Sequence, residues 1–88
     1  MVSDKACEKL FKAIANHRRV AILRYLKSGS ATVGEIAKAI KLSVKATSRH
    51  LQILSGAGYV VSEQRGLYVH YVLNPQSKNH RVLEIVKP

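Results

Sequence analysis

Polar side chains with complementary hydrogen-bonding chemistry are spaced along the segment from 43 to 55. Thr47, Leu51 and Leu54 recur there at the spacing of one buried helical stripe. The opposite face of that helix then presents four polar side chains: Lys45, Ser48, Arg49 and Gln52. Arginine and lysine bind guanine O6 and N7 or a phosphate, glutamine pairs with adenine, and serine bonds to either a base or a phosphate. This set predicts a surface that reads the edges of base pairs in double-stranded DNA.

Residues next to this face extend the prediction. Ser43 is suited to cap the helix, and Val44 and Ala46 could contact thymine methyl groups. Gln64 and Arg65 lie at a predicted turn between two strands, where an arginine would respond to the width of the adjacent minor groove. The predicted DNA-binding residues are Lys41, Ser43, Val44, Lys45, Ala46, Ser48, Arg49, Gln52, Gln64 and Arg65.

The charge of the chain favours a polyanionic partner. Its 88 residues include 15 Lys and Arg against 5 Asp and Glu, a net charge of +10. Such a surface attracts phosphates by electrostatic steering and counterion release. The alternative is a solvated basic surface without a partner. Binding to a membrane surface would instead require apolar helix faces, which the core needs here.

Arg18 and Arg19 lie in a second acid-free interval, which runs from Lys9 to Gly34. Two interpretations remain open for these arginines. They anchor the DNA backbone, or one of them pairs with Glu8 or Glu63.

Hydrophobic periodicity predicts four helices that position the polar face. The first two end at Asn16 and at the Ser- and Gly-rich break 28–30, and the third opens with a capping box formed by Thr32 and Glu35. The residues expected to face the core from the last three helices are Val20, Ile22, Leu23, Leu26, Ile36, Ala37, Ile40, Thr47, Leu51 and Leu54.

Two runs rich in β-branched and aromatic residues follow, at 59–61 and 68–73, with a turn at 64–66. A short last helix is expected around Val82 and Val86. The order α-α-α-α-β-β-α predicts a mainly α fold with a β-hairpin wing, a winged helix-turn-helix, as a single domain over residues 1–88.

Three ordered motifs resemble the ArsR/SmtB winged-helix repressors. Residues 10–23, LFKAIANHRRVAIL, are similar to that family's F-K-A-L-A-N/D-x-x-R-x-x-I-L pattern. Residues 42–60 follow its L-S-x-x-x-x-S-x-H-L-x-x-L-x-x-A-G-L-V pattern, and 66–73 resemble its wing. The resemblance implies repression relieved by a signal, and two recognition helices in successive major grooves of a palindromic operator.

The resemblance also implies a homodimer built from the first and last helices. The apolar residues of those helices agree with it, because they exceed what one thin core needs. The predicted dimer residues are Cys7, Leu10, Phe11, Ile14, Val82, Leu83 and Val86.

The sequence departs from the family's thiolate metal sensors. Where those carry C-V-C-D-L, residues 32–36 read TVGEI, without sulfur. His80 and Glu84 share a helical face, but a zinc site needs more ligands, so we expect no metal and no cofactor. Cys7 fits a small buried hydrophobe better than a redox switch, and His50 fits a support for the recognition helix better than a metal ligand.

Catalysis is not expected, because no catalytic constellation is evident in the sequence. Two other functions stay open: a nonspecific architectural DNA-binding protein, and a winged-helix module that binds an acidic protein. The single cysteine and the absence of a signal peptide or membrane-span pattern predict a cytoplasmic protein.

Overall fold

Capping side chains define where three of the helices begin. The first helix ends at Ile14, two residues before the predicted break at Asn16. Asn16 caps the second helix, since its Oδ1 accepts from the backbone N–H groups of Arg18 and Arg19 at 2.9 and 3.2 Å. The predicted capping box is confirmed. Glu35 N donates to Thr32 Oγ1 at 3.2 Å, and Thr32 N donates to Glu35 Oε1 at 2.8 Å.

The computed structural model describes the backbone of residues 4–75 and the side chains from Glu8 onward. The predicted last helix lies outside these residues, as does the Cys7 side chain. The elements are α1 Asp4–Ile14, α2 His17–Leu26, β1 Ala31–Thr32, α3 Val33–Ile40, α4 Val44–Gly56, β2 Val60–Arg65 and β3 Tyr68–Leu73. Their order confirms the winged helix-turn-helix. Among the described residues, none of the helices has the length and hydropathy of a transmembrane span.

The sheet differs from the predicted hairpin in two ways. It has three antiparallel strands in the order β1-β3-β2, because Ala31 and Thr32 pair with Tyr71 and His70. The predicted turn at 64–66 was wrong by one to two residues: the ladder continues to the Arg65–Tyr68 pair. The turn lies at 66–67, where Gly66 adopts the left-handed conformation, with φ of 61°, that a two-residue hairpin loop favours.

The core lies between the helices and the inner face of the sheet. Its buried members are Ala13, Ile22, Leu23, Leu26, Ala31, Ile36, Leu51, Leu54, Ala57, Tyr59 and Val60. Most of the residues predicted to face inward are buried, whereas Val20 and Ile40 are only half-buried. The apolar periodicity of α2, α3 and α4 therefore predicts which face of each helix packs on the core.

Tyr59 joins α1 to the start of the wing. Its ring is buried, and its hydroxyl donates to the carbonyl oxygen of Leu10 at 3.1 Å. Burial raises the pKa of Tyr59 because it penalises the phenolate. Tyr59 O in turn accepts from Asn74 N at 2.9 Å, so the same residue also holds the end of the sheet.

Thr47 provides a test of core energetics. It is fully buried, and its Oγ1 has no hydrogen-bond partner among the described residues. We expect Thr47→Val to raise the free energy of unfolding by about 1 kcal/mol, because it replaces an unpaired hydroxyl with a methyl of similar shape. Thr47→Ala should lower the same quantity by about 1–2 kcal/mol, because it leaves a cavity. Urea unfolding of both variants measures the difference. A Val variant less stable than the parent would show that the hydroxyl has a partner.

Candidate nucleic-acid interface

One face of α4 forms an open, shallow surface. It is lined by Ser43, Val44, Lys45, Ala46, Ser48, Arg49, Gln52 and Ile53. The structure thus brings together all the DNA-binding residues predicted within 43–52. Sequence reasoning missed Ile53, whose position beside the buried Leu54 could have indicated a half-exposed apolar residue at the edge of this face.

Burial on the other side of α4 orients this face outward. Thr47, Leu51 and Leu54 are fully buried, and α4 packs against α2, α3 and β2. Ser43 caps the helix, because its Oγ accepts from Ala46 N at 3.1 Å. The first turn of α4 contains no acidic residue, so the positive end of its dipole is not neutralised locally.

A tight connection positions α4 relative to α3. Lys41 adopts a left-handed conformation with φ of 56°, and its N–H bonds to the carbonyls of Ala37 and Lys38. Leu42 N also donates to Ala37 O, at 3.0 Å. Lys41 is exposed but does not belong to the open surface of α4.

Arg18 and Arg19 bind protein carbonyls. Arg18 Nη1 donates to Ile40 O, at the end of α3, at 2.9 Å. Arg19 donates from Nε to Ala13 O at 2.6 Å and from Nη2 to Lys12 O at 3.0 Å, near the end of α1. Helix ends leave such carbonyls without intrahelical partners, so both guanidinium groups act as C-terminal caps.

The predicted ion pairs of these arginines with Glu8 or Glu63 are not formed. Glu8 instead pairs with Lys12 at 2.8 Å, one helical turn away. Glu63 pairs with Arg65 at 2.6 Å, across alternate residues of one strand. Each acid thus pairs with a cation close to it in the sequence.

The predicted wing residues also have partners within the chain. Arg65 bonds to Glu63 Oε1 and donates from Nη1 to Ser30 Oγ at 2.8 Å. Gln64 Nε2 donates to Gly66 O at 2.9 Å and so holds the turn. Neither residue is at the tip, where Leu67 is 93% exposed. Sequence reasoning placed them at the tip because it misjudged the turn by one to two residues.

His50 lies on α4 beside the polar face, and its Nδ1 is 3.2 Å from Arg19 Nη1. Partial burial, followed by the charges of Arg19, Arg18 and Arg49, lowers the pKa of His50. The structure therefore gives His50 a contact that supports α4, as its sequence motif indicates.

Residues 32–36, which occupy the position of the thiolate site in the family's metal sensors, form the start of a helix. Within 32–36, Thr32 and Glu35 form the capping box of α3, and the hydrogen bonds from Thr32 lower the pKa of Glu35. Across the part of the chain that the structure describes, no group of three or more His, Cys, Asp and Glu side chains could hold a metal ion. His80 and Glu84 lie outside that part.

The predicted dimer residues of α1 divide into two kinds. Leu10 and Ile14 are half-buried against the core of their own chain. Phe11 is 63% exposed. Val82, Leu83 and Val86 lie outside the described residues.

Comparisons with known proteins identify relatives of the whole arrangement. Residues 16–62 match a family model described as bacterial regulatory protein, arsR family. The transcriptional repressor SdpR of Bacillus subtilis is 38% identical over 65 residues, covering 74% of this chain and 72% of SdpR. The transcriptional activator HlyU of Vibrio cholerae is 38% identical over 65 residues as well, covering 74% of this chain but only 60% of HlyU.

A solved structure has the same fold. It is the homodimeric winged helix-turn-helix DNA-binding domain of Mb0332 from Mycobacterium bovis, a possible ArsR-family transcriptional regulator, with a TM-score of 0.85 and 28% identity. The match covers 97% of this chain and 83% of that one.

The left-handed Lys41 predicts an unusual response to glycine. We expect Lys41→Gly to raise the free energy of unfolding by about 0.5–1 kcal/mol, because glycine adopts positive φ without steric cost. Lys38→Gly is the matched control: it removes the same side chain from inside α3 and should lower that free energy by about 0.5–1 kcal/mol. Denaturant midpoints measure both, and equal destabilisation by the two variants would contradict the prediction.

Proposed function

Because this chain belongs to the ArsR family of bacterial regulatory proteins, we propose that it binds a specific double-stranded DNA sequence as a homodimer and represses transcription. The observation that carries the proposal is the outward face of α4, which presents Lys45, Arg49 and Gln52 beside exposed apolar residues while the opposite stripe of the same helix is buried. A helix held in this way can enter a major groove without losing its packing on the domain.

Recognition is assigned to the side chains that project from α4. Lys45, Ser48, Arg49 and Gln52 bond to base edges or phosphates, and the apolar Val44 and Ala46 contact thymine methyl groups. The capped N-terminus at Ser43 and the exposed Lys41 approach the phosphate backbone, which attracts both the helix dipole and the ammonium group.

The wing contributes Gln64 and Arg65 to the minor groove in this proposal. Arg65 would first have to exchange its bonds to Glu63 and Ser30 for bonds to DNA. The side chains of the Arg65–Glu63 pair are about half exposed, at 50% and 46%. Ion pairs with that exposure contribute little to stability, so the exchange costs little.

Dimerisation is proposed through α1 together with the chain's C-terminal residues, through Cys7, Leu10, Phe11, Ile14, Val82, Leu83 and Val86. The homodimeric state of the Mb0332 domain supports it. The exposure of Phe11 supports it too, because a large aromatic side chain on a helix surface is a common anchor of an interface. Two copies related by a two-fold axis would read a palindromic operator in the cytoplasm.

The alternative of a nonspecific architectural protein draws on the net charge of +10. Selection of bound fragments from a random DNA pool separates the two functions. A palindromic consensus bound at least ~10³-fold more tightly than scrambled duplex supports the repressor, and no enrichment supports the architectural protein. A reporter gene downstream of the selected operator then distinguishes repression from the activation that HlyU's name describes.

Arg49 tests base reading at a single side chain. We expect Arg49→Ala to weaken operator binding by about 1–3 kcal/mol. Arg49→Lys keeps the charge but loses the bidentate geometry, so it should lose operator preference while retaining affinity for scrambled duplex. Fluorescence anisotropy on both duplexes measures this. If Arg49→Lys binds the operator as well as the parent does, Arg49 contacts phosphate only, and if Arg49→Ala also loses nothing, Arg49 is not part of the site.

Phe11 tests the dimer. We expect Phe11→Glu to raise the dimer dissociation constant by about 30-fold or more, because it places a charge where an aromatic anchor was buried. Leu67→Glu is the matched control, since it makes the same change at a wing residue that is 93% exposed and far from α1 in sequence. Sedimentation equilibrium without DNA measures both. A parent protein that is monomeric at micromolar concentration with operator present would contradict the proposed dimer.

A further inference from the structure

One guanidinium group connects α4 to α1. Arg19, on α2, donates to Lys12 O and Ala13 O near the end of α1, while its Nη1 lies 3.2 Å from His50 Nδ1 on α4. Arg19 thus contacts α1 with one edge of its planar group and the recognition helix with the other. A planar group held at three nitrogens restricts both helices at once.

The contact determines which nitrogen of the His50 ring carries the hydrogen. An arginine guanidinium only donates hydrogen bonds, so His50 Nδ1 must accept and cannot carry a proton. The neutral ring therefore carries its hydrogen on Nε2. Protonation of Nδ1 would remove the acceptor and place an imidazolium against a guanidinium.

The surroundings of His50 offer no compensation among the described residues. The charged and titratable groups that act on the ring are Arg18, Arg19 and His17 from α2 and Arg49 from α4. The three arginines are cations, and none of the four groups carries a negative charge. From α1, Glu8 lines the same hollow as Arg19, but its carboxylate pairs with Lys12 at 2.8 Å. The α1 carbonyl oxygens of Lys12 and Ala13 are already bound by Arg19. Burial and these charges lower the pKa of His50, in agreement with the geometry.

We propose that Arg19 and His50 form a positioning pair, which holds α4 at a defined place relative to α1 only while His50 Nδ1 is unprotonated. The inference rests on the proposed function, because α1 carries the proposed dimer surface. The place of α4 relative to α1 then sets the separation of the two recognition helices. A palindromic operator requires a defined separation, so loss of the contact weakens operator binding more than nonspecific binding.

The sign of the pH effect is diagnostic. Any gain of positive charge in acid strengthens binding to operator and scrambled duplex alike. Protonation of His50 instead lowers the preference for operator over scrambled duplex, because it breaks the contact that positions α4. The informative quantity is therefore the ratio of affinities for operator and scrambled duplex, measured from about pH 8 down to about pH 4.5, because the pKa of His50 is lowered from its ordinary value.

Two variants at position 50 separate geometry from titration. Asn places its Oδ1 near the position of Nδ1 and does not titrate, whereas Gln places its oxygen near the position of Nε2. In the parent we expect the ratio to fall about five- to tenfold from about pH 8 to about pH 4.5. His50→Asn should retain most of the ratio at pH 8 and keep it in acid. His50→Gln and Arg19→Lys should show a reduced ratio at every pH.

Two binding results would overturn the inference: a parent ratio that does not change with pH, or a His50→Asn ratio that falls as steeply as the parent's. Imidazole ¹⁵N NMR of the parent without DNA provides an independent readout, with His50 expected as the Nε2–H tautomer and with its pKa below the ordinary histidine value. A tautomer with hydrogen on Nδ1 would overturn the pair even if operator binding is found. Absence of operator preference at pH 8 would instead reject the proposed function, and this inference with it.

Discussion

The buried stripe of α4 is the constraint on which the rest of the structure depends. Leu51 and Leu54 are completely buried, and burying such a side chain stabilises a fold by about 1.5–3 kcal/mol. Turning α4 about its axis would expose this stripe, so the helix has one stable rotation about that axis. Because an α-helix repeats every 3.6 residues, that orientation also determines that Lys45, Arg49 and Gln52 point away from the domain.

The basic residues divide into two groups with different tasks. Arg18 and Arg19 satisfy carbonyl groups at the ends of α3 and α1, where a small domain has few other donors to offer. Lys45 and Arg49 lie exposed on α4, where their charge is available to an anion. The high net charge of the chain is thus partly a means of terminating helices and only partly an exposed basic surface.

Residues at the start of α3 also have a structural task. In this chain, residues 32–36 build a capping box rather than a cluster of sulfur ligands. The capping box fixes the start of α3, and α3 packs against α4. The segment that occupies the position of the thiolate site in the family's metal sensors therefore serves here to start a helix.

The sequence by itself determined the features that depend on near neighbours along the chain. Capping residues, apolar spacing within α2 to α4 and the polar composition of one face of α4 all involve residues within about four positions of each other, so local rules are enough to predict them. Only the tertiary structure decided the pairing of β1 with β3, which joins residues almost forty positions apart. It also decided the partners of Arg18, Arg19 and Arg65, and the packing of Leu10 and Ile14 on their own core. The physical reason is reach: an arginine side chain can bond to any acceptor within several ångströms, and which acceptors lie there depends on how distant segments pack.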